Sequence, residues 1–297
     1  MPNTPTSATD CASIATSWSR AATEAARRVT PTVTGLTLPA SPPAAALPAT
    51  AATGARVLDA DGGGRTSHVM AGIEWAVARG ARVVNVSLGG PPYPSDGTDA
   101  FSTLCNAAVE AGALICVAAG NLGPTGHTIG APAAAERVLT VGASVAAPEA
   151  PHDEVARFSS RGPTGDGRLK PDVVFPGVGI TAPRAAGTAL GTLRDTRYTS
   201  MSGTSQATPM AAGCAALLLQ ANPRLAPEEL KTRIRRGARR LDGAESTAQG
   251  TGRGDAYNTF VAAEGTPVGT EPVSAEGPSE SERGGCLASA LKTLGLR

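Results

Sequence analysis

What most constrains this chain is an alternation. A short β-branched run at residues 81–86 (ARVVNV), a continuous apolar run at 114–119 (LICVAA) and a third strand-like run at 138–141 (VLTV) stand beside two segments with helical periodicity. Val69, Ile73 and Val77 recur at helical spacing before Gly80, and Phe101, Leu104, Cys105, Ala108 and Val109 trace a second stripe that stops at Gly112. Helices of about a dozen residues between short strands that lack polar alternation predict a parallel sheet covered on both faces, so the fold class is α/β. In an open sheet of this kind, ligands bind beyond the carboxyl ends of the strands. Two polar, glycine-rich segments fall there, Ser87-Leu88-Gly89-Gly90 and Gly120-Asn121-Leu122-Gly123. Glycine lets another backbone approach closely, and an asparagine at a strand end can aim its amide at a bound group; ordinary turns have the same composition.

The 297 residues, 41% hydrophobic but only 3% aromatic, can bury a substantial core, which Ala, Val and Leu must fill. The 26 basic and 25 acidic residues nearly cancel, so a bulk electrostatic binder is excluded and no nucleic-acid partner is expected. Five cysteines without C-x-x-C spacing argue against a disulfide framework or a zinc ribbon; Cys105, Cys116 and Cys214 lie in apolar runs and read as small buried hydrophobes. Residues 202–220 are long and uncharged, but Gly203, Thr204, Ser205, Gln206, Thr208 and Pro209 crowd their first half. A buried core helix with Pro209 near its first turn is predicted there, and no membrane partner. The polar first residues carry no signal-peptide pattern, and the compartment stays unassigned. Asp59 and Asp61 open like a calcium loop, yet Met70 stands where its glutamate belongs, so no metal or cofactor site is identified.

The organisation reads as an irregular Ala/Thr/Pro-rich segment over 1–54, a structured region over 55–264, and a Gly/Pro/Glu/Ser-rich tail over 265–297. Residues 158–163 and 170–177 read as loops, and Lys231, Arg233, Arg235, Arg236, Arg239 and Arg240 as a solvated basic face closing a helix. Ser205, between Gly203 and Ala207, sits at the entrance of the buried helix. Its hydroxyl would lie near the positive helix end with its own N–H free for a developing oxyanion, although helix capping explains a serine there equally well. An α/β-hydrolase elbow needs glycine two residues after the serine, where Ala207 stands. Ser289 and Lys292 have S-x-x-K spacing, but nothing follows them that could supply partner motifs.

Several motifs, in order, resemble the subtilisin-like serine peptidases: Trp75-Ala-Val with Asn85-Val-Ser-Leu-Gly-Gly90, Ala118-Ala-Gly-Asn121, Phe158-Ser-Ser-Arg-Gly-Pro163, Lys170-Pro-Asp172 and Gly203-Thr-Ser-Gln-Ala-Thr-Pro209. The resemblance implies a subtilisin-like parallel sheet between helices, with the N-terminal part of that fold missing or replaced, and a serine endopeptidase acting on extended polypeptide. It makes Ser205 the nucleophile and Asn121 the oxyanion donor. It also gives Ser87, Leu88, Gly89 and Gly90 the substrate backbone, and Ala118, Ala119 and Gly120 one wall of the pocket before the scissile bond. Calcium is compatible with the resemblance, but no ligand set for it can be identified.

The same resemblance requires an acid and a base ahead of the serine, and neither is found. His68, in Ser67-His-Val-Met-Ala-Gly72, only echoes the expected His-Gly-Thr-His; His127 and His152 lie in no such setting, and no Asp-Thr-Gly or Asp-Ser-Gly follows a strand in residues 1–55. Without an imidazole, a serine hydroxyl is a poor nucleophile at neutral pH, so the chain as written is expected to be inactive. Three readings follow: a peptidase whose acid and base segments were lost through a misplaced start or a frame error, a pseudoenzyme that binds peptides without cutting them, and a divergent hydrolase using His68.

Overall fold

A computed structural model describes residues 53–59, 62–90, 95–145, 153–185 and 189–261. The segments 1–52 and 262–297, with His152, Cys11, Cys286, Ser289 and Lys292, lie outside the described residues. In chain order the elements are α1 (Thr66–Ala78), β1 (Val83–Val86), α2 (Ala100–Glu110), β2 (Leu114–Ala118), β3 (Leu139–Val145), β4 (Glu154–Val155), β5 (Val173–Pro176), β6 (Ile180–Pro183), β7 (Thr192–Leu193), β8 (Tyr198–Met201), α3 (Thr204–Ala221), α4 (Pro227–Arg236), α5 (Ser246–Gln249) and α6 (Ala256–Val261).

The main sheet is α/β as expected. β1, β2, β3 and β5 run parallel in that order, and β4 adds a short antiparallel pairing to the end of β3. Both faces are covered, which explains strands without polar alternation. Val84, Val86, Ile115 and Val117 point into one core with Ile73 of α1 and Phe101 and Cys105 of α2. Val83, Leu114, Cys116, Leu139 and Val141 point into the other with Ala211, Cys214 and Leu218 of α3 and Leu230 and Ile234 of α4. Cys105, Cys116 and Cys214 are free and buried. Burial pushes the Cys105 and Cys214 thiols up to about 12 and Cys116 higher still, so they behave as small hydrophobes.

Three features differ from the sequence reading. Part of the 170–177 segment is a strand of the main sheet, β5, paired with β3, and its apolar stretch is short because Lys170, Pro171 and Asp172 precede it. β6, β8 and β7 form a separate antiparallel sheet that no periodicity announced. The basic run is not one solvated face: Lys231 is buried, donating to the Glu136 carbonyl at 2.8 Å and the Val138 carbonyl at 2.9 Å. Lys231 also lies 3.4 Å from Asp172 Oδ1, while Lys170 Nζ donates to Asp172 Oδ2 at 2.7 Å and the Thr140 N–H donates to the same oxygen at 2.8 Å. Burial lowers the Lys170 ammonium to about 8. For Asp172, burial works upward, but the Lys170 and Lys231 charges outweigh it and hold the carboxyl below its ordinary value.

Candidate active site

The carboxyl ends of β1 and β2 and the N-terminus of α3 meet at one place. β2 ends at Ala118, and the chain turns at Gly120, whose φ of 106° favours glycine. A Cβ at Gly120 would also fall 2.7 Å from Ser160 Oγ. The turn delivers Asn121 to the first residue of α3: Asn121 Oδ1 accepts from the Thr204 N–H at 2.9 Å and from Thr204 Oγ1 at 3.1 Å. Thr204 Oγ1 in turn accepts from the Gly120 N–H at 3.2 Å. With its oxygen held by two donors, the Asn121 carboxamide has only its NH2 to offer outward.

Gly203 marks where that NH2 points. A Cβ there would lie 3.4 Å from Asn121 Nδ2 and 3.7 Å from the Ser205 backbone nitrogen. Both nitrogens therefore border the space above Gly203, at the positive end of an 18-residue helix, where an incoming oxygen has two donors within reach once the Gln206 side chain turns aside. Gln206 Oε1 would lie 2.7 Å from the same Cβ, so any side chain at position 203 would fill the space.

The serine is held by β1. Ser205 Oγ donates to the Ser87 carbonyl at 3.1 Å, and Ser87 Oγ donates back to the Ser205 carbonyl at 3.0 Å. Pro209 lies inside α3 rather than in its first turn. It is four residues after Ser205 and has no N–H, so the Ser205 carbonyl lacks its intrahelical donor and the Ser87 hydroxyl takes that place. Buried Asn85 supports the arrangement, its Nδ2 donating to Ser87 Oγ at 3.0 Å. Asn85, Thr204 and Pro209 stand in the sequence motifs without a role assigned to them; the spacing of Pro209 from Ser205 was the signal that could have given one.

The remaining candidates are placed unevenly. Ser87 and Leu88 are half-buried, while Gly89 and Gly90 are exposed, with the Gly90 N–H donating to the Ala131 carbonyl at 2.9 Å. Ala118 and Ala119 are buried and reach the site only through Gly120. His68 is exposed on α1, whose opposite face packs Val69 and Ile73 into the core, and His127 is exposed in the loop after Asn121 with a φ of 57°. Among the described residues no imidazole or carboxylate is bonded to Ser205 Oγ, and no group of three or more His, Cys, Asp or Glu side chains is placed to hold a metal.

Comparison with known proteins matches this arrangement. The family model of the subtilase family, Peptidase_S8, aligns with residues 44–252. Serine protease AprX of Bacillus subtilis is 37% identical over 222 residues, covering 69% of this chain and 50% of AprX. Subtilisin of Bacillus pumilus is 36% identical over 189 residues, covering 63% of this chain and 60% of that protein. The chain thus spans about half to three-fifths of the length of these curated relatives. Among solved structures, a cold-adapted subtilisin-like serine proteinase superposes with a TM-score of 0.51 at 27% identity, over 70% of this chain and 66% of that one. On its ordered motifs, its sheet and these matches, the chain belongs to the subtilase family.

Proposed function

We propose that the cleft is that of a serine endopeptidase, with Ser205 as nucleophile and with the Asn121 amide and the Ser205 N–H as oxyanion donors. The observation that carries this reading is that Asn121 Nδ2 and the Ser205 nitrogen border one space above Gly203, from which only the Gln206 side chain has to turn aside. A scissile carbonyl entering there would bring its oxygen between two N–H groups while its carbon faces Ser205 Oγ. The extended polypeptide would run along Ser87 to Gly90, where exposed main chain follows the end of β1.

The described residues supply no proton acceptor. The Ser205 hydroxyl donates to a carbonyl, which cannot take its proton in a displacement. Attack then depends on hydroxide, and turnover of an unactivated peptide stays near the level that oxyanion and binding contributions alone sustain, ~10³–10⁴ over water in subtilisin, the system from which that range comes. A peptide p-nitrophenyl ester, whose leaving group needs no acid, isolates the first step. Its acyl adduct, followed by intact mass and peptide mapping between pH 6 and 9, is expected on Ser205 and absent from Ser205→Ala. The rate should rise about tenfold per pH unit with no inflection near neutrality, because among the described residues Ser205 Oγ is bonded to a carbonyl and to no imidazole. An inflection near pH 7 that disappears in His68→Ala would overturn this account in favour of a His68 base.

The bond between Ser205 Oγ and the Ser87 carbonyl specifically favours a second reading, peptide binding without cleavage. Saturable binding of an extended peptide with no adduct at any pH would select it.

A further inference from the structure

The structure resolves the basic run at the end of α4 into two groups. Lys231 is buried against Asp172, Arg233 Nη2 lies 2.7 Å from Glu229 Oε1, and Arg239 pairs with Asp153. Arg235 and Arg240 have no carboxylate partner among the described residues; Arg240 reaches only Ser246 Oγ, at 3.5 Å. Both line one cavity of about 220 Å³, together with Ser246, Thr251, Leu169 and the chain at Asp172.

The polar surroundings of that cavity are positive. Asp172 is its one acidic lining residue, and its carboxylate is already engaged by Lys170, Lys231 and the Thr140 N–H. The Asp172 carbonyl is engaged as well, accepting from the Thr251 N–H at 3.0 Å and Thr251 Oγ1 at 3.2 Å. The other carboxylates in this stretch, Asp242 and Glu245, are exposed and do not line the cavity. Arg235 and Arg240 line one concavity, both exposed and both without a carboxylate partner among the described residues, so their like charges favour an anion there. The volume is below the ~300 Å³ at which drug-sized ligand pockets begin, so it suits an ion or a small head group. Guanidinium forks match phosphate and carboxylate oxygens, and two forks with a serine hydroxyl offer more donors than the two oxygens of a carboxylate can accept.

From this we infer that the cavity between the end of α4 and α5 binds a phosphate group, as the free ion or as a small monoester. The site lies at the opposite end of the sheet from Ser205: Asp172 immediately precedes β5, and the chain reaches Gly177, whose carbonyl accepts from the Gly203 N–H, only after β5 ends. The inference is therefore independent of the peptidase reading.

Isothermal titration at low ionic strength, with chloride matched, tests it with orthophosphate and glycerol phosphate as separate probes. Saturable binding is expected, weakened about tenfold or more in Arg235→Gln/Arg240→Gln, because both forks are removed. Arg236→Gln, in the same run but outside the cavity, should bind within about twofold of the parent. Binding of both probes assigns a monoester site, and binding of orthophosphate alone assigns the free ion. No saturable binding of either, or equal loss in Arg236→Gln and the double variant, overturns the inference.

Discussion

Asp172→Ala is expected to destabilise the fold by about 3–5 kcal/mol, the largest effect of any single side chain described above. The carboxylate is 7% exposed and is the anion facing two buried ammonium groups, Lys170 and Lys231. Removing it leaves both cations with carbonyl acceptors alone and leaves the Thr140 N–H without a partner. Position 172 ties the start of β5 to β3 and α4, so the loss should reach the second core through Leu230 and Ile234 rather than remain local. Urea unfolding at pH 7 reads the change; a midpoint lowered by less than about 1 kcal/mol equivalent would mean that water solvates the cluster. Because Asp172 is held below its unfolded value, its contribution is present above the ordinary carboxylate range. It is lost only as pH falls through the folded value, so the variant and parent should converge in acid.

Asn121→Ala should slow acylation of Ser205 by an activated ester by ~10²–10³, a range carried over from removal of one such donor in subtilisin rather than derived from this geometry. The direction does follow from the geometry. Asn121 Oδ1 is fixed by Thr204, its Nδ2 faces the position above Gly203, and truncation to a methyl group leaves the Ser205 N–H as the sole donor there. Asn121 is exposed and outside both cores, but truncation leaves the buried Thr204 N–H without its acceptor, so folding stability should fall by about 1–3 kcal/mol. Equal acylation rates for parent and variant, measured where both remain folded, would remove Asn121 from the oxyanion role.

Much of this was legible in the linear sequence because the main strands are buried on both faces. Val83 and Val84, like Leu114 to Val117, feed alternate cores, and that requirement writes apolar residues on both faces of each strand. β5 escaped because Lys170, Pro171 and Asp172 interrupt its approach, and the two charged residues among them are there for the buried charge cluster. Lys231 looked like part of a solvated face for the same reason, since its partner comes from another element. The serine and the asparagine could be singled out from strand ends and a helix start. The hydroxyl exchange between Ser87 and Ser205 could not, because it joins residues 118 positions apart and depends on the N–H that Pro209 lacks.

The central claim is that one oxygen above Gly203 can be held by Asn121 and Ser205 together. A crystal structure of the protein after Ser205 has been trapped with a fluorophosphonate measures this directly. The phosphonyl oxygen is expected at about 2.7–3.1 Å from both Asn121 Nδ2 and the Ser205 nitrogen. A phosphonyl oxygen turned toward solvent, with the Asn121 amide directed elsewhere, would contradict it.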